Sequence, residues 1–283
     1  MLSSGFVKDV DATYINSLLL GRIPESYKGN YGHALLVCGS KGMMGAAVLS
    51  ARGALKSGCG LVTLHIPVPY ETVLYQTVPQ AMLSLDSGKH FSCVPDRLEK
   101  YTAVGIGCGV GCADDSIAAL RDLLKRAGKL SCKMILDADA INMVAMDRQC
   151  LEVVPAGTVF TPHEGEFERL VGKWDSSEHK IEKLRNFAGI HSVVVVLKGH
   201  NTRVCDSEGN IFINHTGNAG MAKGGSGDVL TGLITGLLAR GYAPADAAVI
   251  GVYFHGKAGD IAAKCLGMES MNSGDIADNI VIE

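Results

Sequence analysis

The sequence has few aromatic residues, no excess of positive charge and no long apolar run. Only 6% of its 283 residues are aromatic, so no platform for stacking nucleic-acid bases is expected. Lys and Arg number 26 against 29 Asp and Glu, and the net charge of −3 offers no field to attract nucleic acid or an acidic membrane. The apolar run at residues 230–238 is too short and too rich in glycine to span a bilayer. These absences predict neither a nucleic-acid partner nor a membrane partner.

The cysteines offer no disulfide framework and no metal motif. There are nine of them without a single CxxC, and the Cys108–Cys112 spacing has no partner pair and no nearby histidines, so no zinc site is predicted there. An odd number of small, apolar-flanked thiols fits a reducing compartment. Residues 8–11 are mostly charged and lie in no sustained apolar segment, which argues against a signal peptide. We therefore expect a soluble, cytoplasmic protein.

What the sequence does contain is glycine and short apolar runs in a repeating order. The apolar run 34–38 leads into a glycine loop at 39–45, a helix at 46–56 and a second strand at 61–66. This strand–loop–helix–strand unit is typical of a parallel sheet with right-handed crossovers. Further strands are predicted at residues 101–106, 134–136, 158–160 and 192–197, helices at 10–20, 116–127, 177–189 and 244–265, and a hairpin at 202–205 and 211–214. We predict one α/β domain over residues 1–283, with a mostly parallel central sheet sandwiched between helices.

The stretch at residues 214–228 organises the rest of the chain. Five glycines fall within residues 217–227, and the apolar spacing from Val229 onward predicts a helix. Because first-turn N–H groups are unpaired and the helix dipole is positive there, a glycine loop entering a helix forms an anion site. Asp228 has two interpretations: an acid that stabilises the helix start, or a general base that activates a hydroxyl beside a bound phosphoryl group.

The other predicted strands end in segments suited to ligand binding. Residues 39–45, 105–111, 137–139, 161–166 and 198–199 all follow strands, and ligands of open α/β sheets bind beyond the carboxyl ends of strands. The glycines of 105–111 do not have G-x-G-x-x-G spacing, and no P-loop motif is present. We expect these segments to converge with the 214–228 loop on one crevice.

Several single residues keep more than one interpretation. Lys198 is either a solvated lysine at a strand end or part of a nucleotide contact made by the backbone of residues 198–202. His163 is a general base, a substrate contact or a turn histidine. Asp137 and Asp139 either contact Mg²⁺ through water or serve as caps and in indirect roles.

Longer motifs resemble one known family. They are residues 33–47 (HALLVCGSKGMMGAA), 136–142 (LDADAIN), 161–166 (TPHEGE), 196–199 (VLKG) and 217–230 (GNAGMAKGGSGDVL). In this order they resemble the NAD(P)H-hydrate dehydratase family, and the resemblance runs from about residue 28 to residue 263. The family has a ribokinase-like fold, which agrees with the predicted sheet. Many members have Pro where this chain has Ala219, a difference that removes a rigid turn residue but no side-chain chemistry.

The resemblance implies a repair enzyme that converts (6S)-NAD(P)H hydrate back to NAD(P)H. A nucleotide phosphorylates the C6 hydroxyl and phosphate is then eliminated, which makes the enzyme a hydro-lyase. ADP is expected as the donor, giving AMP, because the stand-alone architecture resembles bacterial members; an ATP-dependent version is the alternative. The resemblance also implies Mg²⁺ on the nucleotide phosphates, a homotetramer, and an epimerase partner, since about thirty residues before the first strand cannot hold the family's N-terminal epimerase domain.

The family's site residues transfer to matching positions of this sequence. The implied catalytic residues are Asp228 as base, with Gly225 and Gly227 as backbone donors. The implied contacts to the hydrated dinucleotide are Ala46, Gly109, His163, Asn218 and Asp228. The implied nucleotide contacts are Lys198, Gly199, His200, Asn201, Thr202, Ser226 and Gly227. No protein ligand is assigned to Mg²⁺.

Two other functions share some of these features. A small-molecule kinase of the hydroxymethylpyrimidine or hydroxyethylthiazole type has the same Gly-Ser-Gly-Asp loop. A non-catalytic nucleotide-binding module is the other alternative. The motifs at residues 161–166 and 42–46 favour the dehydratase over the kinase, and the intact Asp228 argues against a non-catalytic module.

Overall fold

A ten-stranded sheet runs through residues 5–283, the part of the chain described by the computed structural model. The first four residues of the domain predicted for 1–283 lie outside the described part. The strands are β1 (Val7–Asp9), β2 (His33–Val37), β3 (Leu61–Pro67), β4 (Met82–Asp86), β5 (Ala103–Ile106), β6 (Lys133–Leu136), β7 (Val159–Phe160), β8 (Val194–Leu197), β9 (Arg203–Cys205) and β10 (Ile211–Ile213). Their order is β1-β10-β9-β8-β7-β6-β5-β2-β3-β4. The strands from β8 to β4 are all parallel, whereas β9 pairs antiparallel with both of its neighbours.

Helices cover both faces of this sheet. They are α1 (Ala12–Leu18), α2 (Met44–Lys56), α3 (Glu71–Thr77), α4 (Asp114–Lys129), α5 (Ala138–Met146), α6 (Glu164–Val171), α7 (Ser177–His191), α8 (Ser226–Arg240), α9 (Pro244–Leu266) and α10 (Ser273–Asp278). Among residues 5–283, no helix combines the length and apolar character needed to cross a membrane. The elements β4, α3, α5, α6 and α10 were absent from the sequence prediction, and the strand β1 was also missed.

Alternation along the strands divides the core between the two faces. Leu35, Val104 and Leu136 point into a cluster with apolar residues of α4 to α7. Ala103 and Ile135 point the other way, into a cluster with α8, α9 and α10. Since every central strand is covered on both faces, its sequence is apolar almost without interruption. The predicted fold, a mostly parallel sheet between helices, is confirmed.

The strand order reverses between β2 and β5, and this reversal positions the ligand crevice. From β2 the chain proceeds outward through β3 and β4, and from β5 it proceeds the other way through β6, β7 and β8. The loops that follow β2 and β5 are joined where Gly39 N–H donates to Cys108 O at 2.8 Å. Open α/β sheets bind ligands at such a switch point, outside the carboxyl ends of the strands.

Helices α2 and α8 approach each other main chain to main chain. A Cβ atom on Gly232 would lie 1.8 Å from Ser50 O, and one on Gly53 would lie 2.1 Å from Val229 O. Any side chain at these two glycines would therefore force the helices apart. A Cβ on Gly105 of β5 would lie 2.1 Å from Thr235 Oγ1, so α8 also rests closely on the sheet. Helix α8 therefore packs closely against both α2 and the sheet.

Candidate active site

The loop before α8 is fixed from one side by Asp260 of α9. Its carboxylate accepts the Gly217 N–H and the Asn218 side-chain amide, each at 3.0 Å. The Asn218 side-chain oxygen in turn accepts the Gly220 N–H at 3.0 Å. The predicted substrate contact Asn218 thus has an internal role in shaping the loop, and Asp260, which sequence reasoning missed, is the residue that holds it.

The glycines at the end of the loop leave a row of free backbone donors. Gly225 takes a left-handed conformation with φ +93° and is the residue from which α8 begins at Ser226. Within residues 5–283, the N–H groups of Gly224, Gly225, Gly227 and Asp228 donate to no protein acceptor. Unpaired N–H groups at a helix N-terminus favour a bound anion. The geometry supports the predicted anion site, which stays a prediction.

Asp228 lies in the first turn of α8, half-buried beside a second carboxylate. Burial raises the pKa of Asp228 above its usual value, and the negative charge of Asp137 raises it further, whereas a hydrogen bond from Cys108 and the charge of Lys198 oppose the shift. Within the described residues, Asp228 forms no ion pair of its own. A carboxylate that is dehydrated and lies close to another carboxylate is a stronger base than a solvated one. Both interpretations of Asp228 agree with its position, and the raised pKa favours a base.

Asp137 and Lys198 form an ion pair below the start of α8. Lys198 Nζ lies 2.8 Å from Asp137 Oδ1, and Thr231 Oγ1 donates to Asp137 Oδ2 at 2.6 Å. Burial alone would raise the pKa of Asp137, but the Lys198 charge and these hydrogen bonds hold it below the usual value. Lys198 is thus an inward-facing lysine instead of a solvated one. Asp137 precedes α5 without capping it through its side chain, and Asp139 accepts the Gly111 N–H at 2.8 Å. The choice between an indirect role and contact with Mg²⁺ through water stays a prediction.

His163 begins α6 in a reciprocal arrangement with Glu166. The His163 ring Nδ1 accepts the Glu166 N–H at 3.2 Å, and Glu166 Oε2 accepts the His163 N–H at 2.8 Å. A backbone bridge joins His163 to Lys198. The turn interpretation of His163 therefore agrees with its geometry, while its half-exposed ring remains available to a ligand.

A cavity of about 710 Å³ opens in front of the glycine loop. The residues predicted for ligand contacts that line it are His163, Lys198, Gly199, His200, Thr202, Asn218, Ser226 and Gly227. Leu230, Val252 and Met221 add an apolar wall. Its volume suits a nucleotide-sized ligand. Asn201, Gly225 and Asp228 do not line this cavity.

Ala46 and Gly109 lie together at another part of the crevice. A Cβ on Gly109, whose φ is +67°, would lie 3.2 Å from the Ala46 Cβ. These residues follow β5 and β2 at the switch point, whereas the 710 Å³ cavity lies beyond β8. The structure thus separates the predicted ligand-binding residues into two groups. Asp228, at the start of α8, lies between the loops that carry these two groups.

His255 of α9 is a further residue of the cavity that sequence reasoning missed. Its Nε2 lies 2.9 Å from Ser226 O, the first residue of α8. Burial lowers the pKa of His255 to about 4, so the ring is neutral and donates to that carbonyl. His255 interrupts an otherwise apolar part of α9, which is the only sequence signal that could have indicated it.

Comparisons with known proteins point to one family. A family model described as NAD(P)H-hydrate dehydratase matches residues 34–281. The bifunctional NAD(P)H-hydrate repair enzyme Nnr of Moorella thermoacetica is 36% identical over 277 residues, covering 94% of this chain and 52% of that protein. The chain therefore spans about half the length of this curated relative. The ADP-dependent (S)-NAD(P)H-hydrate dehydratase of Neisseria meningitidis is 33% identical over 267 residues, covering 90% of this chain and 86% of that protein.

Solved structures add the same likeness in three dimensions. The ADP/ATP-dependent NAD(P)H-hydrate dehydratase of Bacillus subtilis, co-crystallised with ATP/Mg²⁺, has a TM-score of 0.81 at 28% identity, covering 99% of this chain and 97% of that one. A hydroxyethylthiazole kinase protein from Pyrococcus horikoshii has a TM-score of 0.62 at 15% identity, covering 89% of each chain, which is a likeness of fold alone. The resemblance inferred from the motifs is thereby confirmed, and the chain belongs to the NAD(P)H-hydrate dehydratase family.

Proposed function

We propose that this protein restores NAD(P)H from its (6S)-hydrate in a reaction that consumes ADP. The observation that carries the proposal is the set of N–H groups of Gly224, Gly225, Gly227 and Asp228, which are free within residues 5–283, with the Asp228 carboxylate at its end. Hydroxide is a poor leaving group, whereas phosphate is a good one. Moving a phosphoryl group from ADP to the C6 hydroxyl leaves AMP. The ring nitrogen's electron pair then expels phosphate from C6, and the resulting iminium loses a proton from C5 to regenerate the dihydronicotinamide.

Asp228 is the base in this scheme. The carboxylate accepts the proton of the C6 hydroxyl as its oxygen attacks the phosphorus atom. The raised pKa of Asp228 makes it a better proton acceptor than a solvated Asp. The N–H groups of Gly225 and Gly227 donate to the oxygens of the transferring phosphoryl group, where their fixed orientation stabilises its charge.

The two ligands occupy the two parts of the crevice. The 710 Å³ cavity supports placement of the nucleotide against Lys198, Gly199, His200, Thr202, Ser226 and Gly227, with Asn201 beside them. The hydrated dinucleotide would contact Ala46, Gly109 and His163, and Asn218 would shape the loop between. Asp228, at the start of α8, then lies between the two ligands.

Mg²⁺ would be held mainly by the nucleotide phosphates and by water. Asp137 is already committed to Lys198 and Thr231, and Glu166 is buried and accepts the His163 N–H, so neither carboxylate is assigned as a ligand of the ion. When bound on the nucleotide, Mg²⁺ offsets phosphate charge. The ion pair with Asp137 holds Lys198 in position whether or not Mg²⁺ is bound.

The proposal is tested by following recovery of dihydronicotinamide absorbance from hydrated NADH with Mg²⁺ and either ADP or ATP. Recovery with ADP and formation of AMP in equal amount are expected. Recovery with ATP alone would replace ADP as donor but keep the reaction. No recovery with either nucleotide would contradict the proposal, and a stable phosphorylated product would instead indicate a kinase.

We further propose a cytoplasmic homotetramer that works with an NAD(P)H-hydrate epimerase. The family resemblance supports the tetramer, and the free thiols among residues 5–283 suit a reducing compartment. Because the base faces one side of the ring, only one epimer presents its hydroxyl, and an epimerase would supply it from the other. Light scattering measures the oligomer, and an epimeric mixture with and without added epimerase measures the coupling.

A further inference from the structure

Three side chains with metal-ligating atoms meet at the edge of the sheet formed by β3 and β4. His65 lies near the end of β3, Asp86 is the last residue of β4, and Cys93 lies in the segment that follows. One ligand atom from each, the imidazole nitrogen, a carboxylate oxygen and the thiol sulfur, lie within 4.8 Å of one another. None of the three belongs to the active site described above.

Within the part of the chain that the structure describes, the buried His65 ring has one nitrogen without a hydrogen-bond partner. Nδ1 lies 3.0 Å from Ser84 Oγ, while Nε2 lies 3.5 Å from Asp86 Oδ2 and has no hydrogen bond. The side chain is only 2% exposed, so water does not reach Nε2. A proton on Nε2 would have no acceptor in hydrogen-bond geometry. A proton on Nδ1 is donated to Ser84 and leaves the Nε2 lone pair facing a carboxylate, which is an arrangement that favours a cation between them.

Asp86 is kept ionised although it is fully buried. Its carboxylate accepts Gly88 N–H at 2.8 Å, Ser92 N–H at 2.7 Å, Ser92 Oγ–H at 2.6 Å and Cys93 N–H at 3.1 Å. Burial would raise the pKa of Asp86, but these hydrogen bonds lower it below the usual value. The bond from Cys93 is the longest of the four, and it is the one that an ion on Oδ2 would displace.

We propose that His65, Asp86 and Cys93 bind a divalent metal ion of the zinc type. Imidazole nitrogen, thiolate and carboxylate are the ligands Zn²⁺ takes in proteins, at about 2.0–2.3 Å, which separates neighbouring ligand atoms by roughly 3.3–3.8 Å. The 3.5 Å between His65 Nε2 and Asp86 Oδ2 lies within that range. A set with both sulfur and nitrogen does not suit Mg²⁺ or Ca²⁺.

Binding forms a metal–sulfur bond while the Cys93 thiol gives its proton to solvent. Burial and the charge of Asp86 raise the pKa of that thiol, so the ion has to displace a firmly held proton. The fourth position would be filled by water arriving from the side of Cys93, the exposed member of the three.

The bound ion would hold in place the 87–92 segment, which joins Asp86 to Cys93. Lys89 O in this segment accepts the Lys41 N–H at 3.3 Å, which connects it to the loop after β2. Ser116 Oγ of α4 donates to Phe91 O at 2.6 Å. A metal at this edge would therefore stabilise the chain that supports the switch-point loops, without contacting either ligand of the active site.

The experiment uses the whole chain, stripped with a chelator and titrated with Zn²⁺ or Co²⁺ in the absence of nucleotide. We expect one equivalent of Co²⁺ to produce thiolate-to-cobalt charge-transfer absorption. Cys93→Ser, an exposed and isosteric change, should abolish that absorption and weaken Zn²⁺ binding by about a hundredfold or more, because losing a direct ligand costs more than the roughly 10- to 100-fold that losing an outer-shell partner costs. The matched control is Cys265→Ser, because Cys265 is also exposed and free but lies at the end of α9.

A second measurement does not depend on cobalt. Zn²⁺ should raise the melting temperature of the native sequence and of Cys265→Ser, but not of Cys93→Ser. The proposal is overturned if the native chain takes up no stoichiometric Zn²⁺ at neutral pH. It is equally overturned if Cys93→Ser keeps the charge-transfer absorption and the affinity of the native chain.

Discussion

Lys198 and Asp137 form an ion pair that bridges two strands that are not neighbours in the sheet. Lys198 follows β8 and Asp137 follows β6, with β7 between them, and the Nζ–Oδ1 distance is 2.8 Å. A Cβ on Gly227 would lie 3.5 Å from Nζ. The pair thus forms the floor beneath the first turn of α8, where the proposed phosphoryl transfer takes place.

Removing the charge of Asp228 should separate binding from catalysis. Asp228→Asn keeps the size of the side chain but cannot accept a proton, so turnover should fall by about 100- to 10,000-fold. Affinity for nucleotide and for hydrated NADH should change little. Steady-state kinetics and calorimetric titration measure the two effects, and near-normal turnover would remove Asp228 from the role of base.

The dependence of activity on pH should report the interaction between the Asp228 and Asp137 carboxylates. Asp228 has to be ionised to act, and burial followed by the Asp137 charge raises its pKa. Activity is therefore full above that raised pKa and is lost as the pH falls through it. Asp137→Asn removes the negative charge and frees Lys198, both of which lower the pKa of Asp228, so the acid limb of kcat should move to lower pH. Asp175→Asn, at an exposed carboxylate, is the control. An acid limb that stays in place or moves upward in Asp137→Asn would contradict the coupling.

Alanine substitutions of two glycines of the loop should have different effects on activity and on stability. Gly227→Ala places a Cβ at ordinary contact distance from Lys198 Nζ, 3.5 Å, and Asp137 Oδ2, 3.7 Å. Unfolding free energy should change by less than about 0.5 kcal/mol, while kcat/KM falls about tenfold or more because the phosphate is displaced.

Gly225→Ala is the matched substitution, and it should lower stability where Gly227→Ala does not. Gly225 has φ +93°, and its Cβ would lie 2.4 Å from Leu49 Cδ1. Backbone strain and this clash should destabilise the fold by about 1–3 kcal/mol. Urea denaturation measures both variants, and equal stabilities would contradict the distinction.

Stability should decline in mildly acidic solution because of buried histidine. The pKa of His255 is lowered from 6.5 to about 4 by burial, and burial likewise lowers the pKa of His33 to about 4. Between these values the unfolded chain binds protons that the folded chain does not, so the free energy of unfolding falls as the pH drops from 6.5 to 4. His255→Gln, which can still donate to Ser226 O, should flatten that decline. His200→Gln, at an exposed position of the cavity, should leave it unchanged, and an unaltered slope in His255→Gln would refute the assignment.

The central part of the sheet was predictable because its strands are buried on both faces. β2, β5 and β8 are continuous apolar runs followed by glycine or lysine, and the prediction of each is confirmed within two or three residues. β4 was missed because it is an edge strand whose side chains are partly exposed, so its sequence lacks such a run. Helices α5 and α6 were missed because each begins inside a polar motif that was interpreted as a ligand loop.

Pairings between distant residues could not be predicted from the sequence. The partners Asp137 and Lys198 lie 61 residues apart, and only the order of strands brings them together. The same is true of His65 and Cys93, which belong to different segments and show no metal-binding spacing. Local signals indicated where a strand ended and which residue types followed it. The neighbours of those residues depend on topology, which no single segment specifies.

In the proposed reaction, the glycine contacts between α2 and α8 would set how far the phosphoryl group has to travel. Helix α2 carries Ala46 at its start and α8 carries Asp228, and the two helices touch through Gly53 and Gly232 without intervening side chains. The distance between the two proposed ligand positions is thus set by the main-chain packing of α2 against α8. Evolution or design can change which molecules are held at either end, but the distance of transfer stays the same as long as these two helices remain in contact.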